Sequence, residues 1–331
     1  MQQFRELRRA LQAIVLAGLP AACVGTVEQP SVGGSGPCGQ TVSRSFSFQT
    51  PSDPPLDLRV ESCRVDADAC KELCTMLMQR AGLSAPDHCI VEFRDDTVDA
   101  SASYWVHVDG PGCGAEGRRP AGLLTPRQID AKSAVGAWLA QAAWLEAASI
   151  PAFIYLAREL DAFGAPRGLV RGALTAVRDE IRHARIMNAL AARAGGTPPT
   201  VEVELPRPRS VEELAIENAI EGCVRETWGA IVAMWQAERA QDRGLREVFR
   251  TISVDEARHA ALAWAVDRWA ATRLDVAALR RVSEARAHAV HTLLDGDAPE
   301  ILPPLLGLPY GRDARGLVDR TRAALWNGGL S

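Results

Sequence analysis

The sequence predicts a mainly α-helical protein: an antiparallel bundle of four helices plus a fifth, preceded by a small cysteine-rich α+β domain. Three observations carry that prediction. After residue 130 the chain becomes rich in Ala and Leu, with helical period and only short breaks. Hydrophobic residues reach 47% while aromatics stay at 5%, which suits packed helices rather than a disordered or fibrous chain. Of eight cysteines, Cys38, Cys63, Cys70, Cys74, Cys89 and Cys113 cluster ahead of residue 115, apart from the helical region. At 331 residues there is room for about two domains. The 37 Lys and Arg nearly balance the 41 Asp and Glu, and no block of like charge stands out, so a nucleic-acid partner is disfavoured.

The first 22 residues read as a signal peptide. Arg5, Arg8 and Arg9 precede a short apolar run from Ala10 to Leu19, and the small residues Ala21 and Ala22 precede Cys23. A run of that length falls short of the ~20 residues that a membrane span needs. The boundary resembles a bacterial lipoprotein lipobox, which implies acylation of Cys23 and a periplasmic or cell-surface protein held to a membrane by lipid. It departs from the pattern by placing Pro20 three residues before Cys23, with Leu19 one place further back. Ordinary secretion with cleavage near Ala22 is the alternative. Residues 23–55 are rich in Gly, Ser, Pro and Thr and read as a flexible tether.

Residues 56–115 read as the small domain, with a strand at Leu56–Ser62, a helix at Ala67–Ala81, and strands at Cys89–Phe93 and Ser103–Val108. In an exported chain its six cysteines imply up to three disulfides, whose pairing spacing cannot resolve. A Gly/Pro/Arg linker follows. Helices are then expected at Arg127–Phe163, Arg167–Ala194, Val211–Ala240, Arg243–Thr272 and Val276–Leu294, so that the bundle fills 127–294. A tail over 295–331 carries a short helix at Ala314–Trp326.

The chemistry lies in two nearly identical pentapeptides. Asp179-Glu180-Ile181-Arg182-His183 falls in the second of the five helices and Asp255-Glu256-Ala257-Arg258-His259 in the fourth. Residues three apart share a helix face, so each Glu and His can grip one ion. Glu146 precedes Glu180 by 34 residues and Glu221 precedes Glu256 by 35, so each helical pair offers a lone carboxylate followed by a Glu-x-x-His helix. Aligning Glu146 with Glu221 also sets Phe153 on Trp228 and Leu156 on Ile231. Glu226 is the substitute for Glu221. In a regular helix it sits ~140° round and would need a bulge to join.

At these residues the chain resembles the ferritin-like superfamily, which includes bacterioferritins, rubrerythrins, the ribonucleotide reductase small subunit and the bacterial multicomponent monooxygenases. One Glu from each of two helices, plus a Glu-x-x-His from each of the other two, is that superfamily's ligand set. The resemblance implies a dinuclear site: Glu180 and Glu256 bridge, His183 and His259 bind one metal each, and Glu146 and Glu221 complete the ends. The fuller Asp-Glu-x-Arg-His form looks like the monooxygenase and reductase branch. It implies that Asp179 and Asp255 accept hydrogen bonds from the ligand imidazoles, with Arg182 and Arg258 as their partners. Carboxylate-rich sites with two imidazoles suit two Fe ions, with Mn the alternative. The implied function is an exported dimetal oxidoreductase reacting with O2 or peroxide, served by an electron donor. The alternatives are non-catalytic iron storage, or a surface interaction protein using the bundle as a scaffold.

Three other candidates are weaker. Tyr155 is ~180° from Glu146 on its helix. Cys223 points away from Glu221, into packing. His288 and His291 share a face without a carboxylate at ligand spacing.

Overall fold

Periodicity sets the first helix. The computed structural model describes residues 2–18, 46–49, 88–94, 103–109, 117–124, 126, 129–204, 208–291, 293 and 305–327, and within them the protein is mainly helical. Helix α1 (Gln2–Gly18) buries Leu7, Leu11, Ile14 and Val15, whose i, i+4, i+7, i+8 spacing makes one apolar stripe.

Strands β1 (Phe46–Gln49), β2 (His88–Arg94) and β3 (Ser103–Asp109) form an antiparallel sheet in the order β1-β3-β2, with Phe48 opposite Tyr104 and Glu92 opposite Trp105. Strand β1 corrects the sequence reading, which assigned these residues to the tether. Phe-Ser-Phe-Gln alternates apolar and polar residues, a strand signal submerged in the surrounding Gly/Ser/Pro composition. The expected Leu56–Ser62 strand, the Ala67–Ala81 helix, the lipidation candidate Cys23, and Cys38, Cys63, Cys70, Cys74 and Cys113 lie outside the described residues. Cys89 falls on β2.

Helices α2 (Ala134–Ala162) and α3 (Arg167–Arg193) form a first helical hairpin. Helix α2 begins later than Arg127 because β4 (Asp130–Ala131) pairs with β5 (Gly196–Thr197) just ahead of it. Ser133 then caps the helix. Its Oγ accepts from the Gly136 N–H at 3.0 Å and donates to the Ala194 carbonyl at 3.0 Å. A Cβ at Gly136 would lie 2.5 Å from that carbonyl oxygen, so only glycine lets the two chains approach. The start of α2 thus rests on the end of α3, and the hairpin is antiparallel.

The second hairpin differs from expectation. Helix α4 (Val211–Glu217) opens with a reciprocal cap between Ser210 and Glu213. A nine-residue π-helix, Asn218–Glu226, then precedes α5 (Thr227–Arg239), where the sequence predicts one regular helix. After a short turn, Asp242 caps α6 (Arg243–Ala271), accepting from the Leu245 N–H at 2.8 Å. The hairpins meet along α3 and α6 and share a core in which Trp138, Trp144, Trp228, Trp235 and Trp264 pack among alanines.

Helix α7 (Val276–His291) lies along α4 and the π-helix, and α8 (Gly311–Thr321) runs into a short π segment, Arg322–Trp326. In the whole chain α1 packs against α5, α6 and α8, and Arg320 Nε donates to the Ile14 carbonyl at 3.1 Å. The apolar run that reads as an export signal is therefore also a packing surface before any processing.

Candidate metal centre

Five of the six side chains named for the cluster come together, and the sixth place is taken by Glu226. The motif helices α3 and α6 face each other, which a single helix-to-helix contact suffices to arrange. Because Glu and His sit at i, i+3 on each, the contact delivers Glu180, His183, Glu256 and His259 to one point. Helix α2 adds Glu146 and the last residue of the π-helix adds Glu226. Two overlapping groups result: Glu146, Glu180, His183 and Glu256, and Glu180, Glu226, Glu256 and His259. In each, one ligand atom per residue lies within 4.8 Å of the others, all the residues are buried, and the group can hold a metal ion.

The distances have the form of coordination edges. His183 Nδ1 is 3.3 Å from Glu146, 3.2 Å from Glu256 Oε1 and 4.0 Å from Glu180 Oε2. His259 Nδ1 is 3.0 Å from Glu180 Oε1, 3.5 Å from Glu226 and 3.6 Å from Glu256 Oε2. Ligands bonded at ~2.1 Å to one ion stand ~3 Å apart at right angles and ~3.4 Å apart in a tetrahedron. Glu180 and Glu256 each turn one oxygen to His183 and the other to His259. Neither Nδ1, nor either oxygen of Glu226, has a hydrogen-bond partner among the described residues. Buried polar atoms left in that state are costly, so a convergent set of them fits a cation.

The outer nitrogens are held crosswise. His183 Nε2 lies 3.1 Å from Asp255, and His259 Nε2 lies 3.4 Å from Asp179, so each aspartate serves the histidine of the other motif. Arg182 binds Asp179 at 2.9 Å and also Asp255, while Arg258 binds Asp179 at 3.1 Å and also Asp255. With Nε2–H donating to a carboxylate, each ring keeps its Nδ1 lone pair for the centre.

Charge within the metal-free cluster is shared through protons. Burial works against a charged His183, but Asp255, Glu146 and Glu256 outweigh it and push the imidazole up to about 12. His259 is raised likewise, against its burial, by Glu256, Asp179, Glu180 and Glu226. Burial lifts Glu180 well above its ordinary value and Glu226 to about 7. Glu256 goes the other way: burial would raise it, yet the two imidazoliums hold it down. Asp179 is likewise pulled below its usual range, against burial, by His259, Arg258 and Arg182.

The two ends of the cluster are unlike. Beside Glu146 and Glu256 lies a cavity of about 40 Å3, lined by Trp138, Ala142, Met187, Ala233, Phe249 and Ile252 among others. At the other end the Phe153 ring stands 5.1 Å from that of His259.

Glu221 corrects the sequence reading. Its carboxylate accepts from the Arg119 N–H at 3.1 Å and lies 3.3 Å from Arg225, outside both groups. In an α-helix Glu226 would point ~140° from Glu221; the wider π turn, closed i to i+5, changes that register, and Glu226 is the one that stands 3.5 Å from His259. Cys223 is buried with Sγ 3.8 Å from Asn218, and burial raises its thiol. His288 and His291 are exposed on α7, and neither these nor Tyr155 joins a ligand group among the described residues. Sequence reasoning missed Arg118, a linker residue that is 1% exposed beside the π-helix. Only its placement shortly ahead of the first helix could have drawn attention to it.

No protein-family model matches the chain, and neither a curated protein nor a solved structure matches it.

Proposed function

We propose that the two hairpins form a ferritin-like four-helix carboxylate bundle that holds two iron ions, or manganese in their place, and works as an oxidoreductase on O2 or peroxide. The carrying observation is the set of buried, unpartnered ligand atoms: two imidazole Nδ1 atoms and both oxygens of Glu226, with Glu180 and Glu256 each presenting one oxygen to either histidine. Glu146 and Glu226 complete opposite ends, and the oxygen-rich donor set favours iron or manganese over a structural zinc site. Held there, two such ions would supply the two electrons that, with two protons, reduce O2 to hydrogen peroxide or hydrogen peroxide to water, and a separate donor would return those electrons.

The chain's own residues perform the rest. Asp179 and Asp255 fix the imidazole tautomers, and the arginine pair holds those aspartates in place. The small, mostly apolar cavity beside Glu146 and Glu256 has room for a molecule of a few atoms. We further propose that the protein acts outside the cytoplasm, anchored by lipid at Cys23, with a disulfide-bonded N-terminal unit.

Anaerobic reconstitution with Fe2+ and elemental analysis, followed by stopped-flow mixing with O2 and with peroxide, tests the reading. Two ions per chain and rapid oxidation of both are expected. A folded protein that takes up no metal would overturn it, and two ions without reaction would leave a storage protein.

A further inference from the structure

Between the N-terminal sheet and the helical hairpins, residues 117–120 form a strap across the π-helix. Arg118 is 1% exposed, unusual for a guanidinium, whose burial is costly unless it is well paired. Its nearest carboxylate oxygen, on Glu217, is 3.5 Å away, and its Nε has no hydrogen-bond partner among the described residues. Among the described residues its charge is thinly compensated, so the strength of its ion pair does not account for its burial.

Its contacts share one target. Arg118 Nη1 donates to Asn218 Oδ1 at 3.3 Å, at the first residue of the π-helix, and Nη2 reaches Glu217, immediately before it. The next strap residue, Arg119, donates its N–H to Glu221, inside the π-helix. On the other side the Arg118 carbonyl accepts from Ser149 Oγ at 3.0 Å, one turn beyond Glu146 on α2. Asn218 is tied in turn to α6 through Nδ2 and the Ala263 carbonyl at 2.9 Å. Space is kept for this arrangement by Gly222, where a Cβ would come 3.0 Å from Arg118 Nη1 and 2.6 Å from Ala263 Cβ. The guanidinium lies 5.6 Å from the Phe153 ring, the same ring that meets His259 at a tilt of 57°.

A π segment is rarer than the α-helix it interrupts and persists where tertiary contacts hold it. We infer that Arg118 is a positioning residue of the metal centre: inserted from the linker, it holds Asn218–Glu226 in its π register and thereby keeps the Glu226 carboxylate at His259. Without it the segment relaxes toward an α-helix, which turns Glu226 away by the better part of a half turn. The His259 end of the centre then loses its terminal carboxylate while the His183 end is unaltered. The inference rests on the dimetal reading for its metal readout, but its backbone readout is independent of metal.

The test uses the full chain with Arg118→Met, which keeps most of the apolar stem, and Arg118→Lys, which keeps the buried charge but not the fork. Hydrogen exchange on the metal-free protein should show the amides of residues 219–226 opening about tenfold faster in Arg118→Met, with α3 and α6 unchanged. Anaerobic Co2+ titration should then show one ion held as in the parent and the other weakened about tenfold or more, the same pattern as Glu226→Ala. The double variant should bind no worse than Glu226→Ala alone, because both changes act on one ligand. Arg118→Lys should fall between parent and Arg118→Met. Unchanged exchange in 219–226, or equal weakening of both ions, would overturn the inference. Should Arg118→Met not fold, Arg118→Lys decides by the same two measurements. A parent that binds no second ion would sink the dimetal reading, and the exchange result would still judge Arg118.

Discussion

Metal uptake should expel protons. At neutral pH the metal-free cluster holds a proton on each Nδ1, because His183 is pushed up to about 12 and His259 is raised in the same direction. Burial raises Glu180 too and lifts Glu226 to about 7, so more than one proton should leave when these atoms become ligands. The perturbation is addition of two equivalents of Fe2+ to anaerobic metal-free protein at pH 7. Calorimetry in two buffers of different ionisation enthalpy counts the protons, and a pH indicator in weak buffer checks the count. The sign follows directly: protons compete with metal, so affinity rises with pH, about tenfold per pH unit for each proton displaced. The same raised imidazole makes a second statement about the metal-free fold. A group raised from 6.5 to about 12 on folding stabilises fully below pH 6.5, and that contribution is lost as pH climbs toward 12. Release of less than one proton per two ions, or affinity independent of pH between 6 and 8, would refute the reasoning.

Four further outcomes are expected. Asp255→Asn removes the charged acceptor 3.1 Å from His183 Nε2 and should leave both ions bound while slowing the reaction with O2 or peroxide ~10 to 100-fold; equal rates at equal metal content would deny these aspartates an orienting role. Glu226→Ala should cost the ion at the His259 end, whereas Glu221→Ala, which removes contacts to Arg119 and Arg225, should weaken that ion far less; elemental analysis giving the reverse order would place the π-helix elsewhere. Ala233→Leu fills the cavity beside Glu146 and Glu256 at a stability cost of ~1 to 3 kcal/mol, and should abolish xenon binding there and slow the O2 reaction without changing metal content. In cells that export the protein, Cys23→Ser should release it from membranes, and thiol counting should find Cys223 reduced with Cys38, Cys63, Cys70, Cys74, Cys89 and Cys113 oxidised; unchanged membrane association, or six reactive thiols, would end the lipoprotein and disulfide proposals respectively.

What local sequence could determine, it did. A Glu and a His three residues apart must share a helix face, so the two pentapeptides already contain two of the four clustered glutamates and both imidazoles, whatever the helices pack against. Strong helical period marked the long elements for the same reason, since backbone hydrogen bonding and the placing of side chains around a helix are local. Relations between helices were decided only by tertiary structure. Nothing within Asp179-Glu180-Ile181-Arg182-His183 says that its aspartate serves His259 rather than its own histidine; that follows from α3 facing α6. The preference for Glu226 over Glu221 depends on a π register stitched by Arg118, a residue separated from Asn218 by 100 positions. Strand β1 escaped the composition-based tether because strand pairing is made with residues far along the chain. Likewise the run at Leu7 to Val15 is apolar for reasons that a signal and a packed helix share, and only the groove between α5, α6 and α8 makes it part of a core. A side chain's neighbours three or four residues away are fixed by helix geometry, whereas its neighbours on another element depend on how whole faces fit together, which no window of sequence contains.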